Sequence, residues 1–226
     1  MAHAKCCNFD RMVEKLYGGE QWRRSKASVF WGKIAPCDHV VQIYENEQNF
    51  IHVLAQFVIS GLEDGDGVIV IATSDHLLAL NALFNESGIN TDGLADTQYF
   101  PLVAEKVLEK FMVNGWPNEK LFNEIISSLI RKVRNNNRKV RAFGEMVAIL
   151  WQQGHSNATG QLERLWSNFC TNEMFCLFCA YPKSSFHHDI NSSLEQICSE
   201  HSKLLASSQS TPAEIVYSRL QVKKVV

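Results

Sequence analysis

Residues 140–151 read VRAFGEMVAILW, and the stretch changes character in its middle. Val140 to Phe143 has the make-up of the end of a buried strand. Met146 to Trp151 is an apolar run of helical character. Between them stand Gly144, which lets the chain turn sharply, and Glu145. In an open α/β fold, the place where a core strand stops and a helix starts is the ligand edge of the sheet. Three roles are open to Glu145 there. It can cap the following helix, since acids are favoured at helix N-termini; it can contact a ligand or partner; or it can be catalytic.

Outward from this stretch the chain alternates. HVVQIYE (39–45) reads as a strand and NFIHVLAQFVISGL (49–62) as an amphipathic helix, with Ile51, Leu54, Val58 and Leu62 at helical spacing. After the turn EDGDG, VIVIAT (68–73) is a continuous β-branched run, the mark of a strand buried on both faces. Ser74 or Asp75 is placed to cap the next helix, which ends near Gly88. TQYFPL is a third strand, VAEKVLEKFM a helix, VNGWPN a turn and EKLFNEIISSLIRKVRNN a long helix. KVRAFGE is the fourth strand. A helix with Leu162, Leu165, Trp166 and Phe169 on one stripe follows, then the fifth strand, FCLFCAYP (175–182). Residues 191–205 are expected to form the last core helix. Residues 1–35 read as a helical N-terminal extension, 36–206 as the main domain, and 207–226 as a linker and a tail able to pair as an edge strand.

This alternation implies an α/β fold: a mostly parallel sheet with helices on both faces. Ligands in such folds sit outside the carboxyl ends of the strands. The strand ends here are Tyr44-Glu45, Thr73-Ser74, Phe100-Pro101, Gly144-Glu145 and Tyr181-Pro182.

The 226 residues suffice for one such domain with extensions, and a net charge of -2 gives no overall field to attract nucleic acid or an anionic membrane. The basic run RKVRNNNRKVR (131–141) interleaves no aromatic residue and reads as a solvated face. No stretch is long and apolar enough to span a bilayer, and the N-terminus lacks a signal-peptide core, so the expected location is cytoplasmic. Seven cysteines, an odd number at irregular spacing, do not suggest a disulfide framework. Cys176 and Cys179 are three apart in a strand, so they point to opposite faces and make a poor metal clamp. His39 lies two residues after Cys37, but no second pair stands at ligand spacing, and capping or packing is the expected role. No metal or cofactor is called for.

A phosphate loop needs glycines for close backbone approach and a lysine for charge. After the first strand the chain has YENEQNF (44–50), with two acids, no glycine and no lysine. The fourth strand ends in Gly-Glu, where nucleotide hydrolases often carry a metal-holding acid. Glu145 therefore resembles half of an ATP site whose other half is missing.

Residues 39–73, FMVNGWPN (111–118), VRAFGEMVAILWQQG (140–154), LERLWSNF (162–169) and FCLFCAYP together resemble the MEDS family, the methanogen/methylotroph sensory domain first associated with the dichloromethane regulator. The resemblance implies a three-layer sandwich similar to RecA/KaiC-type ATPases, without a working phosphate loop. It also implies a non-catalytic sensory role in prokaryotic signalling, alongside a histidine kinase or a transcriptional regulator. No kinase motif and no DNA-binding helix-turn-helix is evident, so output is expected through a partner or through self-association into a homo-oligomer. The candidate ligand-binding residues are Glu145, Arg141, Glu45, Tyr44, Thr73 and Tyr181. Arg141, four residues before Glu145 in a strand, shares its face of the sheet; it either pairs with Glu145 or reads an anion. A divergent nucleotide hydrolase using Glu145 with metal, and a pure protein-interaction module, are the alternatives.

Overall fold

Apolar β-branched runs become strands because both sheet faces are covered, and the amphipathic segments between them supply the covers. The computed structural model describes residues 22–26, 31, 34–95, 97–186, 197–206 and 215–219. In chain order the elements are β1 (Trp22–Lys26), β2 (His39–Tyr44), α1 (Glu47–Glu63), β3 (Gly67–Ala72), α2 (Ser74–Glu86), β4 (Tyr99–Val103) and α3 (Ala104–Leu108). There follow β5 (Met112–Val113), β6 (Trp116–Pro117), α4 (Glu119–Val133), β7 (Val140–Gly144), α5 (Met146–Gln152), α6 (Ser156–Glu173), β8 (Cys176–Pro182), β9 (Lys203–Ala206) and β10 (Ile215–Arg219).

The main sheet has the order β1-β10-β9-β2-β8-β7-β3-β4. From β9 to β4 all six strands are parallel, whereas β9, β10 and β1 pair antiparallel. Each central strand sends alternate residues to two cores. Ile69, Ile71, Ala142 and Cys179 face a layer built by α3 to α6, with Phe122, Trp166 and Phe169 at its heart. Val68, Val70, Phe143 and Cys176 face α1, α2 and Trp31. The result is an α/β three-layer sandwich. Cys176 and Cys179 do point to opposite faces, and both are buried free thiols.

The order of connections positions the site. From β3 the chain crosses through α2 on one face to β4, at the sheet's edge. From β7 it crosses through α5 and α6 on the other face to β8, in the opposite direction. Adjacent β3 and β7 thus lead away from each other, which opens a crevice at their carboxyl ends. That crevice lies between Thr73 and Glu145.

Two expectations fail at the far edge. Lys203–Ala206 is a strand rather than the end of a helix. It pairs parallel with Val40–Ile43 and sends Leu204 and Leu205 to the two different cores. Without it, β2 would present an open backbone edge, and satisfying that edge outweighs local helix preference. Residues 191–196 of that expected helix lie outside the described residues. The helical expectation for 1–35 likewise fails over Trp22–Lys26, which is the edge strand β1; most of the rest of 1–35 is not described. The tail does pair, but β10 lies between β9 and β1 instead of at the edge. Trp31 is buried and packs on Phe57 and Phe178, with ring centroids at 4.9 and 5.2 Å. VNGWPN closes the small β5–β6 hairpin, with Asn114 and Gly115 both at positive φ, as a two-residue Asn-Gly turn requires.

Candidate functional site

Thr73, not Ser74 or Asp75, caps α2, its hydroxyl accepting from the His76 amide at 3.4 Å. Glu145 stands at the start of α5 but makes no side-chain cap there. Its carboxylate crosses the crevice instead. Oε2 accepts from the Thr73 amide at 2.8 Å, and Oε1 lies 2.8 Å from His76 Nδ1. The backbone amide of Glu145 donates to the Ile71 carbonyl, continuing the β7–β3 ladder by one residue. Glu145 is only 6% exposed, so these contacts account for most of its polar surface. A buried carboxylate therefore occupies the N-terminal end of α2, where an anionic ligand would otherwise be held.

His76 carries no signal in the sequence pattern. Only the α2 register reveals it: the third helical residue after β3 faces back toward the neighbouring strand end. Its Nε2 lies 3.4 Å from Glu47, which is 70% exposed. Burial lowers the His76 pKa, but contacts with Glu145 and then Glu47 outweigh it, so the net shift is upward.

A cleft of about 470 Å³ opens over this pair, lined by Tyr44, Glu45, Glu47, Thr73, Ser74, Asp75, His76, Glu105, Glu145, Gln152, Pro182 and Ser184. Glu45 is held by Lys183 at its rim. Tyr44 is buried and stacks on Phe50 with centroids 4.4 Å apart. Burial first, then Glu145 and Glu47, push its phenol well above the usual range, so it is a neutral donor. Five carboxylates therefore line the cleft against one lining histidine.

Two expected members lie elsewhere. Arg141 sits at the amino-terminal half of β7, since four residues of strand separate it from Glu145 by roughly 13 Å. Its Nε is 2.5 Å from Asp66 Oδ2, its Nη2 pairs with Asp64, and its Nη1 donates to the Trp31 carbonyl at 3.2 Å. It neither pairs with Glu145 nor faces the cleft. The last arginine of the basic run is thus internal rather than solvated. Tyr181 is fully buried on the opposite face, its hydroxyl donating to Glu163 of α6. Burial is the main cause that pushes the Tyr181 phenol far up, and it raises Glu163 to about 8 despite that bond.

The Glu145–His76 contact has a pH signature. A histidine whose folded pKa exceeds its unfolded value of about 6.5 adds stability that is complete below that pH and lost as pH rises through the folded value. Burial pulls His39 and His201 the other way, so the difference between wild type and Glu145→Gln isolates this contribution. Urea titrations from about pH 5.5 to 8 should show wild-type stability falling relative to Glu145→Gln, at most about 1.4 kcal/mol per pH unit. Parallel curves would show that the contact does not titrate.

These features define an α/β three-layer domain with an acidic crevice at its topological switch point. The chain belongs to the MEDS family, MEthanogen/methylotroph, DcmR Sensory domain, whose model matches residues 38–202. It is a sensory domain of signal transduction. A structure from a structural study of a Pyrococcus horikoshii OT3 protein is similar in fold at a TM-score of 0.59 and 12% identity, covering 89% of this chain and 96% of that one. No curated protein matches. Among the described residues, no helix is long and apolar enough to cross a membrane.

Proposed function

We propose that the protein is a non-catalytic, cytoplasmic sensor that binds a small cationic ligand, such as a protonated organic amine, in the crevice between β3 and β7. The observation that carries this reading is the Glu145 carboxylate on the Thr73 amide. It takes from within the position that a nucleotide phosphate needs, and it adds negative charge to a cleft that already holds Glu45, Glu47, Asp75 and Glu105. Asn46 caps α1 by accepting from the Asn49 amide, so the turn after β2 is also closed to phosphate. Tyr44, Glu45, Thr73 and Glu145 are the residues proposed to shape recognition. Ligand occupancy would be reported to a partner, a histidine kinase or a transcriptional regulator, or through self-association.

Calorimetry on the full chain with Mg-ATP, and a thermal-shift panel of small alkylamines, test the reading. The expected outcome is no measurable ATP affinity, with at least one amine raising the melting temperature in a saturable way. Micromolar ATP affinity with turnover abolished by Glu145→Gln would overturn the reading in favour of the hydrolase. No shift with any amine would count against the cation and favour a pure interaction module.

A further inference from the structure

We propose that His39, Glu163, Cys179 and His201 form a buried binding site for one divalent transition-metal ion of the zinc class. The four come from β2, α6, β8 and the residue pair preceding β9. Their ligand atoms all lie within 4.8 Å of one another, and all four residues are buried. His39 Nε2 is 3.4 Å from Cys179 Sγ and 3.5 Å from Glu163 Oε2, and His201 Nε2 is 3.7 Å from the same Glu163 oxygen. The edge of a zinc tetrahedron with bonds near 2.0–2.3 Å is ~3.3–3.8 Å. Three edges of such a tetrahedron are thus already present.

The hydrogen bonds around the cluster fix which atoms face inward. Ser167 donates its hydroxyl proton to the Glu200 carbonyl at 2.9 Å, so its oxygen can only accept from His39 Nδ1, also at 2.9 Å. The Glu200 carbonyl lies 3.0 Å from the same nitrogen. His201 Nδ1 meets the Ile197 carbonyl at 2.6 Å. Both rings therefore carry their proton on Nδ1 and aim a bare Nε2 lone pair into the cluster. Tyr181 engages the other Glu163 oxygen, leaving Oε2 turned inward as well. His201 Nε2 and Glu163 Oε2 have no hydrogen-bond partner, although each is buried. An imidazole nitrogen and a carboxyl oxygen left without partners are costly in a dry interior. A cation converts all of them into ligands, and the carbonyls and Tyr181 become the outer partners that orient metal-bound groups. Two imidazoles, a thiolate and a carboxylate suit zinc, and four protein ligands make a closed site that fastens the β9 crossover to α6 and the core.

Full-length protein without a polyhistidine tag should be stripped with chelator, equilibrated with Zn²⁺, dialysed and assayed for metal. Replacement by Co²⁺ adds an optical readout of geometry and sulfur ligation. We expect one tightly held ion per chain and a tetrahedral cobalt spectrum with a thiolate-to-cobalt band. That band should vanish in Cys179→Ser and persist in Cys6→Ser/Cys7→Ser. Glu163→Gln should weaken zinc affinity at least tenfold while circular dichroism shows the fold retained. If either core variant fails to fold, the wild-type cobalt spectrum decides alone. No retained ion, an octahedral spectrum, or a thiolate band that survives Cys179→Ser overturns the site.

Discussion

Replacing Arg141 with alanine should cost about 3–5 kcal/mol of stability, because it strands Asp66 as an uncompensated buried charge. The side chains of Arg141 and Asp66 are 5% and 7% exposed, and the guanidinium also serves Asp64 and the Trp31 carbonyl. One side chain thus ties β7 to the α1–β3 turn and to Trp31. Removing it breaks these contacts, and one to the Ser60 hydroxyl, and empties volume beside Gly61, where an added methyl group would come within 3.0 Å of Arg141 Cδ. Asp66→Asn in the alanine background should recover part of the loss by neutralising the stranded charge. Urea denaturation measures both, and a loss under about 1 kcal/mol for Arg141→Ala would show that water reaches Asp66 freely. Amine binding at the cleft should be unchanged once the variant is folded, because Arg141 lies toward the other edge of the sheet.

Substituting Glu145 separates its two duties. Glu145→Gln keeps an acceptor for the Thr73 amide and nearly the same shape, so the fold should persist. It deletes the charge that a cationic ligand would meet. A charge-assisted hydrogen bond contributes about 1.5–3 kcal/mol, so amine affinity should fall on the order of 10- to 150-fold. Glu145→Ala leaves both the Thr73 amide and His76 without their buried partner and should cost a further ~1–3 kcal/mol of stability. Denaturation and amine titration of the two variants together are decisive. If Gln binds the amine as well as wild type while Ala is destabilised, Glu145 is a structural strut between β7 and α2, and recognition lies elsewhere in the cleft.

Glu145 is legible in the sequence at the right place but not in its role. Its position after an apolar strand and Gly144 puts it at the carboxyl edge of the sheet, and it is there. That it spans to the neighbouring helix rather than capping its own depends on β3 being adjacent to β7, and nothing near residue 145 encodes that adjacency. Thr73 draws notice in the sequence for ending a strand; its amide proves to be the partner of Glu145. His76 escapes a sequence reading because one histidine in a first helical turn has no distinctive pattern. The expectation for Arg141 fails on reach. Sharing a face of the sheet is a period-two property, but contact needs proximity along the strand, and four residues is too far.

The metal-ligating quartet shows the limit most clearly. Cys179 reads in the sequence as half of a C-x-x-C pair in a strand, and that pair is no clamp, since Cys176 faces the other core. His39 has no second ligand pair following it at a recognisable spacing. Its actual neighbours are residues 163 and 201, brought in by a helix crossover and by a strand pairing that no local pattern announces together.

From its sequence alone, this protein's α/β class, five strands of its parallel sheet, the burial of β3 on both faces and the position of Glu145 at the carboxyl edge of the sheet could be read. Those follow from periodicity, which reports locally whether a residue meets core or water. The tertiary structure alone decided the strand order, the β9 extension beside β2, the partners of Arg141 and Glu145, and the His39–Glu163–Cys179–His201 cluster. Each depends on which strand lies beside which, and that is settled by the cost of unpaired backbone edges and buried charges across the whole sheet.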